Sequence, residues 1–219
     1  KDFDMIGFTL QYELSYTNVL NMLNLAQIPL KSSDRENLTP LICVGGPCAC
    51  NTEPITDFVD IVFLGDGEET TNQVIDLLID CEKKGLSKKE FLLKAKDITG
   101  IYVPSFYEDS YNEDGTLKEL KPLYGAPEKV KKAVVSDMNK VFYPKEFVVP
   151  YINIVHDRAV EEIFRGCIRG CRFCQAGFIY RPIREKSVET INKQSKALID
   201  STGYDELSLC SLSTSDHSE

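Results

Sequence analysis

Three cysteines, Cys167, Cys171 and Cys174, stand in the stretch RGCIRGCRFCQAGFIYRPIR, residues 165–184, at the spacing C-x3-C-x2-C. Gly166 and Gly170 leave the backbone between them free to bring three sulfurs toward one point without an intervening helix or strand. Thiolates are soft ligands, and three at this spacing select zinc or an iron–sulfur cluster. Structural zinc takes four protein ligands, commonly from two well-separated C-x2-C pairs. No second pair exists here, and the two histidines, His156 and His217, lie at no finger-like spacing. A cubane cluster held by three cysteines instead leaves one iron open to a ligand that is not protein. An open coordination position is what distinguishes a reactive centre from a structural one.

Such a loop needs stiff elements to carry it. Residues 159–164, AVEEIF, have the character of a strand that ends where the loop begins. Ser187 is a helix N-cap, and Ile191, Ala197 and Leu198 give residues 188–201 an apolar face. Gly203 ends that helix, and ELSLCSL, residues 206–212, is a second strand. Strand, loop, helix, strand is the opening unit of a parallel barrel, whose active sites gather at the carboxyl ends of the strands.

Upstream, residues 4–10, 41–47 and 60–68 are short buried strands. After the first of them, residues 16–26 carry Val19, Leu20, Leu23 and Ala26 at helical spacing, and after the third, Thr70–Lys83 carries Val74, Leu77, Leu78 and Cys81 on one face. The alternation predicts an α/β fold with a parallel sheet and crossover helices. Two glycine turns, Gly45-Gly46 and Gly65-Asp66-Gly67, end strands where ligands of such sheets sit. Neither has the spacing of a dinucleotide fingerprint. From residue 98 the character changes: residues 101–107 and 117–120 are strand-like, joined by a hairpin signal at 112–115, and prolines punctuate the rest. Three regions result: 1–97, a connecting subdomain 98–150, and 151–219.

The chain of 219 residues, 42% hydrophobic and 27% charged, has an ordinary globular composition. It shows no apolar run of membrane-spanning length and no basic, apolar leader, so a cytoplasmic protein without a membrane partner is expected. A net charge of −9 disfavours a general nucleic-acid binder and leaves room for a local basic patch. Eight cysteines, clustered at 167–174, fit metal ligation in a reducing compartment better than disulfides. Cys43, Cys81 and Cys210 sit in apolar patterns and are expected to be small buried hydrophobes; Cys48 and Cys50 follow a Gly-Gly-Pro turn with no further ligands nearby. Because Lys1 leads almost directly into a core strand and Glu219 follows one, the chain reads as an internal fragment of a longer protein, inactive by itself.

C-x3-C-x-aromatic-C, with Phe173 as the aromatic, resembles the cluster loop of the radical S-adenosylmethionine superfamily. Together with GFTLQYELSYTNVLNML near the start, GGPC and GDGEE, it makes nearly the whole chain similar to an uncharacterised family that joins a cobalamin-binding-type domain to a radical barrel. The resemblance implies a partial Rossmann-like parallel sheet over residues 1–97 and the first β/α unit of a TIM-type barrel over residues 151–219. It implies a [4Fe-4S] cluster on Cys167, Cys171 and Cys174, and S-adenosylmethionine on the open iron, cleaved to a 5′-deoxyadenosyl radical. Phe173 would lie against the adenine. Where the family has a glycine–glycine–glutamate run for the methionine amine, this chain has LSTSD, so Ser213, Thr214 and Asp216 are the candidates. Gly45, Gly46, Gly65 and Gly67 correspond to turns that border the nucleotide tail of a corrin. The family's D-x-H-x-x-G motif is absent from these residues and would lie upstream of Lys1; if cobalamin is held there, the resemblance implies cobalamin-dependent methyl transfer as an extension of the radical reaction. An electron donor and an unknown substrate complete the expectation.

The basic residues Arg165, Arg169, Arg172, Arg181, Arg184 and Lys186 either pair with Glu161, Glu162 and Glu185 or neutralise the anionic cluster assembly and meet a phosphate or carboxylate. Two other readings stand beside the radical enzyme. One is methylthiolation of an RNA base; the other is a non-catalytic module holding zinc or a structural cluster.

Overall fold

The computed structural model describes residues 2–152 and 154–218. The chain divides into two compact units, Lys1–Val134 and Val135–Glu219. The boundary falls inside the stretch 98–150, whose hairpin belongs to the first unit and whose later residues belong to the second.

In the first unit β1 (Met5–Thr9), α1 (Tyr16–Leu25), β2 (Leu41–Gly45), β3 (Ile61–Phe63), α2 (Thr70–Lys83), α3 (Lys88–Ala95) and β4 (Ile101–Tyr102) follow one another. The sheet has the order β1-β2-β3-β4. β1, β2 and β3 are parallel, as alternating buried strands imply, whereas β4 runs antiparallel to β3 through Val62↔Tyr102 and Phe63↔Ile101. Successive side chains of β2 go to opposite faces. Leu41 and Cys43 join Val74, Leu78, Cys81, Phe91 and Ala95 of α2 and α3, and Ile42 and Val44 join Val19 and Leu23 of α1. The sheet is therefore covered on both sides.

Three expectations change here. The strand expected at 101–107 breaks at the 3-10 turn Pro104–Phe106, where proline cannot donate to a ladder. Its first part edges the main sheet; its end, β5 (Tyr107–Tyr111), pairs with β6 (Leu117–Pro122) around Gly115. The β2–β3 crossover consists of the 3-10 segments Pro47–Asn51 and Glu53–Phe58 instead of an α-helix. α3 was not anticipated, although its capping box, Ser87 with Glu90, is visible in the sequence.

One ion cluster lies within this unit. Asp60, with no exposed side chain, accepts from Ile42 N at 2.7 Å and pairs with Arg35 at 3.0 Å and Lys88 at 2.6 Å, with Ser32 also bonded. It ties the start of β3 to α3 and to the turn at residues 32–35.

The second unit contains β7 (Ala159–Glu162), β8 (Phe164–Arg165), α4 (Ala176–Ile179), β9 (Arg184–Glu185), α5 (Val188–Thr202) and β10 (Leu207–Cys210). β7 and β10 are parallel neighbours, in register from Ala159↔Leu207 to Glu162↔Cys210, and α5 is the crossover between them. Ser187 caps α5 by accepting from Thr190 N at 3.3 Å, and Gly203 ends it. Under α5, Lys186 Nζ lies 2.8 Å from Glu161 Oε1 and 2.8 Å from Gln194 Oε1, all three residues buried. No helix among the described residues is long and apolar enough to cross a membrane.

Candidate metal centre

Three cysteines need a loop that starts and ends at fixed points, and the second unit supplies them. The pairs Phe164↔Glu185 and Arg165↔Arg184 between β8 and β9 close its neck. Gly166 sits there at φ +96°, and a Cβ on it would lie 3.0 Å from Ile183 Cα and 3.1 Å from Pro182 O, so only glycine fits. Arg165 is held by Glu162 through Nε–Oε1 at 2.9 Å and Nη2–Oε2 at 3.0 Å. Lys186 N donates to Ile163 O at 2.9 Å, which fixes the exit of the loop to the end of β7.

Within the loop, Cys174 N donates to Cys171 O at 3.1 Å, a turn that leads into α4. Cys167 and Cys174 are half-buried and Cys171 is exposed; all are free thiols. Among the described residues no three Cys, His, Asp or Glu side chains already converge as a metal site. The loop therefore holds the three donors on a few residues of chain without yet closing them around one point. A Cβ on Gly170 would meet nothing within 4 Å, so the loop is open at this position. The donor set and the open surroundings fit a thiolate-held cluster.

Phe173 is 91% exposed, so its ring is no core aromatic and is available to a ligand beside the cysteines. Ile168 and Phe178 are also exposed. Ser213, Thr214 and Asp216 follow β10, with the 3-10 turn Thr214–Asp216. Ser213 Oγ donates to Asp216, and Thr214 Oγ1 lies 3.0 Å from Ser211 Oγ.

Arg169 of the cysteine loop reaches this segment. Its Nε lies 2.8 Å from Asp216 Oδ2 and its Nη2 bonds Oδ1, a two-pronged contact. Arg169, and then the Ser213 hydroxyl, hold the Asp216 carboxyl below its ordinary value. In return Asp216, and more weakly the Cys167 and Cys171 sulfurs, raise the Arg169 guanidinium above its own. Both residues stand out in the sequence as candidates. Their partnership does not, because 47 positions separate them and only the β7–α5–β10 crossover brings them together.

The glycine turns of the first unit differ from expectation. A Cβ on Gly65, at φ +97°, would lie 2.1 Å from Ala133 O, and one on Gly46 would lie 2.9 Å from Leu10 O. Asp66 N donates to Ala133 O at 2.9 Å, and Ala133 N to Leu64 O at 2.8 Å. The chain's own backbone thus occupies the side of Gly46 and Gly65 that a Cβ would take. Gly45 would make only an ordinary contact with Phe63, and Gly67 a tight one with Thr71 at 3.2 Å. At Gly46 and Gly65 that side of the turn is therefore closed to a ligand, whereas Gly45 and Gly67 are not filled by backbone. The first unit's cleft, about 1040 Å³, is lined by Arg35, Phe58, Lys88, Tyr102, Tyr107 and Tyr124, and by none of these glycines.

Of the remaining cysteines, Cys43 and Cys81 are buried as expected, but Cys210 is exposed. Among the described residues β10 pairs only with β7, so an apolar-looking strand residue lacks a covering layer. Cys50 is exposed and Cys48 half-buried.

The comparison with known families falls on the first unit and ends before the cysteine loop. Residues 1–104 match the family described as radical SAM proteins, N-terminal, so that part of the chain is similar to this family. The chain is 28% identical over 201 residues to an uncharacterized protein of Methanocaldococcus jannaschii, an alignment covering 87% of this chain and 34% of that relative. The chain thus spans about a third of the length of the curated relative it matches.

Proposed function

We propose that the chain carries the cluster-binding portion of an enzyme that cleaves S-adenosylmethionine reductively and uses the resulting radical to take a hydrogen atom from a substrate. The observation that carries this reading is the loop of Cys167, Cys171 and Cys174, held at its neck by β8 and β9 and tied through Arg169 to Asp216 beyond β10. Cys167, Cys171 and Cys174 would hold a [4Fe-4S] cluster. When bound, the cluster supplies one electron, from an external donor, to split a carbon–sulfur bond of S-adenosylmethionine into methionine and a 5′-deoxyadenosyl radical.

The chain's own residues bind and orient. Phe173, with its ring exposed beside the cysteines, offers a face to the adenine. Ser213, Thr214 and Asp216 offer oxygen acceptors to the methionine amino group, the role that the family's glycine–glycine–glutamate run has elsewhere. Residues 151–219 are read as the start of a barrel, with β7 and β10 as its first two strands. Corrin-dependent methyl transfer is not part of this reading, since Gly46 and Gly65 face the chain's own backbone.

The test is anaerobic reconstitution of the full-length protein with iron and sulfide, followed by a strong reductant and S-adenosylmethionine. Iron with equimolar sulfide, and 5′-deoxyadenosine from the wild type but not from Cys171→Ala, is the expected result. Zinc without sulfide, or a complete cluster that yields no 5′-deoxyadenosine, would overturn it.

A further inference from the structure

The cleft of the first unit has walls of two kinds. One is built from the turn at residues 32–35 and the start of α3. There Arg35 and Lys88, both more than nine-tenths buried, pair with the single carboxylate of Asp60 at 3.0 and 2.6 Å. Two buried cations share one anion, and Arg35 Nε has no hydrogen-bond partner among the described residues. Burial pulls the Lys88 ammonium below its ordinary value, and Asp60 only partly offsets this. Lys31 and Lys89, next to this cluster in the chain, line the cleft as well. The first turn of a helix, where Lys88 and Lys89 stand, also favours negative charge.

The other wall is aromatic. Tyr107, Asp109 and Tyr111 alternate along β5 and so share one face, with Leu120 opposite Asp109 and Leu117 opposite Tyr111 on β6. All five line the cleft, and Tyr111 and Leu117 stay 60% and 58% exposed, so this face is not used up in the core. Tyr102 packs on Tyr107, ring centres 4.9 Å apart, and donates to Glu53 Oε1 at 3.0 Å. Asp109 holds the Tyr111 phenol above its ordinary value. Ionised carboxylates only accept, so Glu53 and Asp109 call for N–H donors. Glu36 and Asp57 line the cleft too, but both are exposed and screened by solvent.

We propose that this cleft binds a mononucleotide, with its phosphate at the wall of Lys31, Arg35, Lys88 and Lys89 and its base against the tyrosines. One ligand then meets all three demands: an anion offsets the buried surplus of positive charge, a flat ring covers the aromatic face, and an amino edge donates to Glu53 and Asp109. The cleft, about 1040 Å³, has room for it. The site lies wholly within the first unit and does not depend on what the cysteine loop holds.

The experiment is equilibrium dialysis of guanosine, adenosine and uridine 5′-monophosphates, and of inorganic phosphate, against the full-length protein. At least one of the first two, whose bases carry an amino group, should bind about tenfold or more tightly than the uridine compound, and phosphate more weakly still. Lys31→Gln with Lys89→Gln, and separately Tyr111→Ala, should each weaken that nucleotide about tenfold. All three positions are exposed, so these variants leave the core intact. No nucleotide bound at millimolar concentration, or no loss in the double lysine variant, would overturn the site. Phosphate bound as tightly as the nucleotides, or full affinity in Tyr111→Ala, would overturn recognition of the base. Equal affinity for all three nucleotides would overturn the roles of Glu53 and Asp109.

Discussion

Replacing Lys186 by methionine tests whether the platform beneath the cysteine loop depends on a buried charge pair. Lys186 and Glu161 have side chains 3% and 0% exposed, their charged atoms 2.8 Å apart. Lys186 Nζ also bonds Gln194 at 2.8 Å and lies 5.1 Å from the centre of the Tyr143 ring. Burial, and then the neighbouring Glu161 carboxylate, push the Tyr143 phenol above its ordinary value. Glu161 Oε2 lacks a hydrogen-bond partner among the described residues, so removing Lys186 takes away the one cation paired with this buried carboxylate there. Breaking a buried pair on one side costs about 3–5 kcal/mol, because the other charge stays buried. The chain has no tryptophan and two compact units, so hydrogen exchange resolved by peptide is a better assay than a global transition. Amides of β7 and α5 should exchange about a hundredfold to several thousandfold faster, with β1 to β4 unchanged. The paired change Glu161→Leu with Lys186→Met should recover most of the loss, since no charge then stays buried. Exchange within about threefold of wild type in Lys186→Met, or no recovery in the double variant, would refute the reasoning.

Thiol reactivity should follow burial. Desolvation, and then Asp60, push the Cys43 thiol up to about 12 from 9.0, which lowers its thiolate fraction about a thousandfold. Brief alkylation near pH 8, read by mass spectrometry, should mark Cys50, Cys171 and Cys210 and spare Cys43 and Cys81 until the protein unfolds; equal labelling of Cys43 and Cys50 would contradict the fold. Ser87→Ala should destabilise α3 by about 1 kcal/mol at neutral pH. The Ser87 backbone N–H and hydroxyl hold the Glu90 carboxyl below its ordinary 4.5, so that contact is complete above 4.5 and fades as pH falls through the lowered value. The Ser87→Ala penalty, followed by circular dichroism, should therefore shrink at acid pH. Gly65→Ala drives a Cβ to within 2.1 Å of Ala133 O and should cost about 3 kcal/mol or more, seen as a lowered Tm; an unchanged Tm would mean residues 131–134 do not pack there.

Some of this was written in local chemistry. Three cysteines at C-x3-C-x2-C, the Ser187 cap, the Gly203 stop and the α2 face of Val74, Leu78 and Cys81 all depend on neighbours within a turn or two of chain. The parallel pairing of β1, β2 and β3 followed from their apolar runs for the same reason. The break at Pro104 and the antiparallel β4 were harder to foresee, because a two-residue strand carries no periodicity and takes its direction from the sheet edge it meets. Cys210 was misjudged because an alternating pattern gives the face of a strand but not whether a layer covers it.

What the sequence by itself determined was the kind of ligand set and the elements that carry it, since donor type, spacing, capping and periodicity are properties of short stretches. Only tertiary structure decided that Arg169 holds Asp216, that Lys186 neutralises Glu161, and that Ala133 fills the turn at Gly65. Each joins residues far apart in the chain, and their encounter depends on strand order and crossover, which no local interaction encodes.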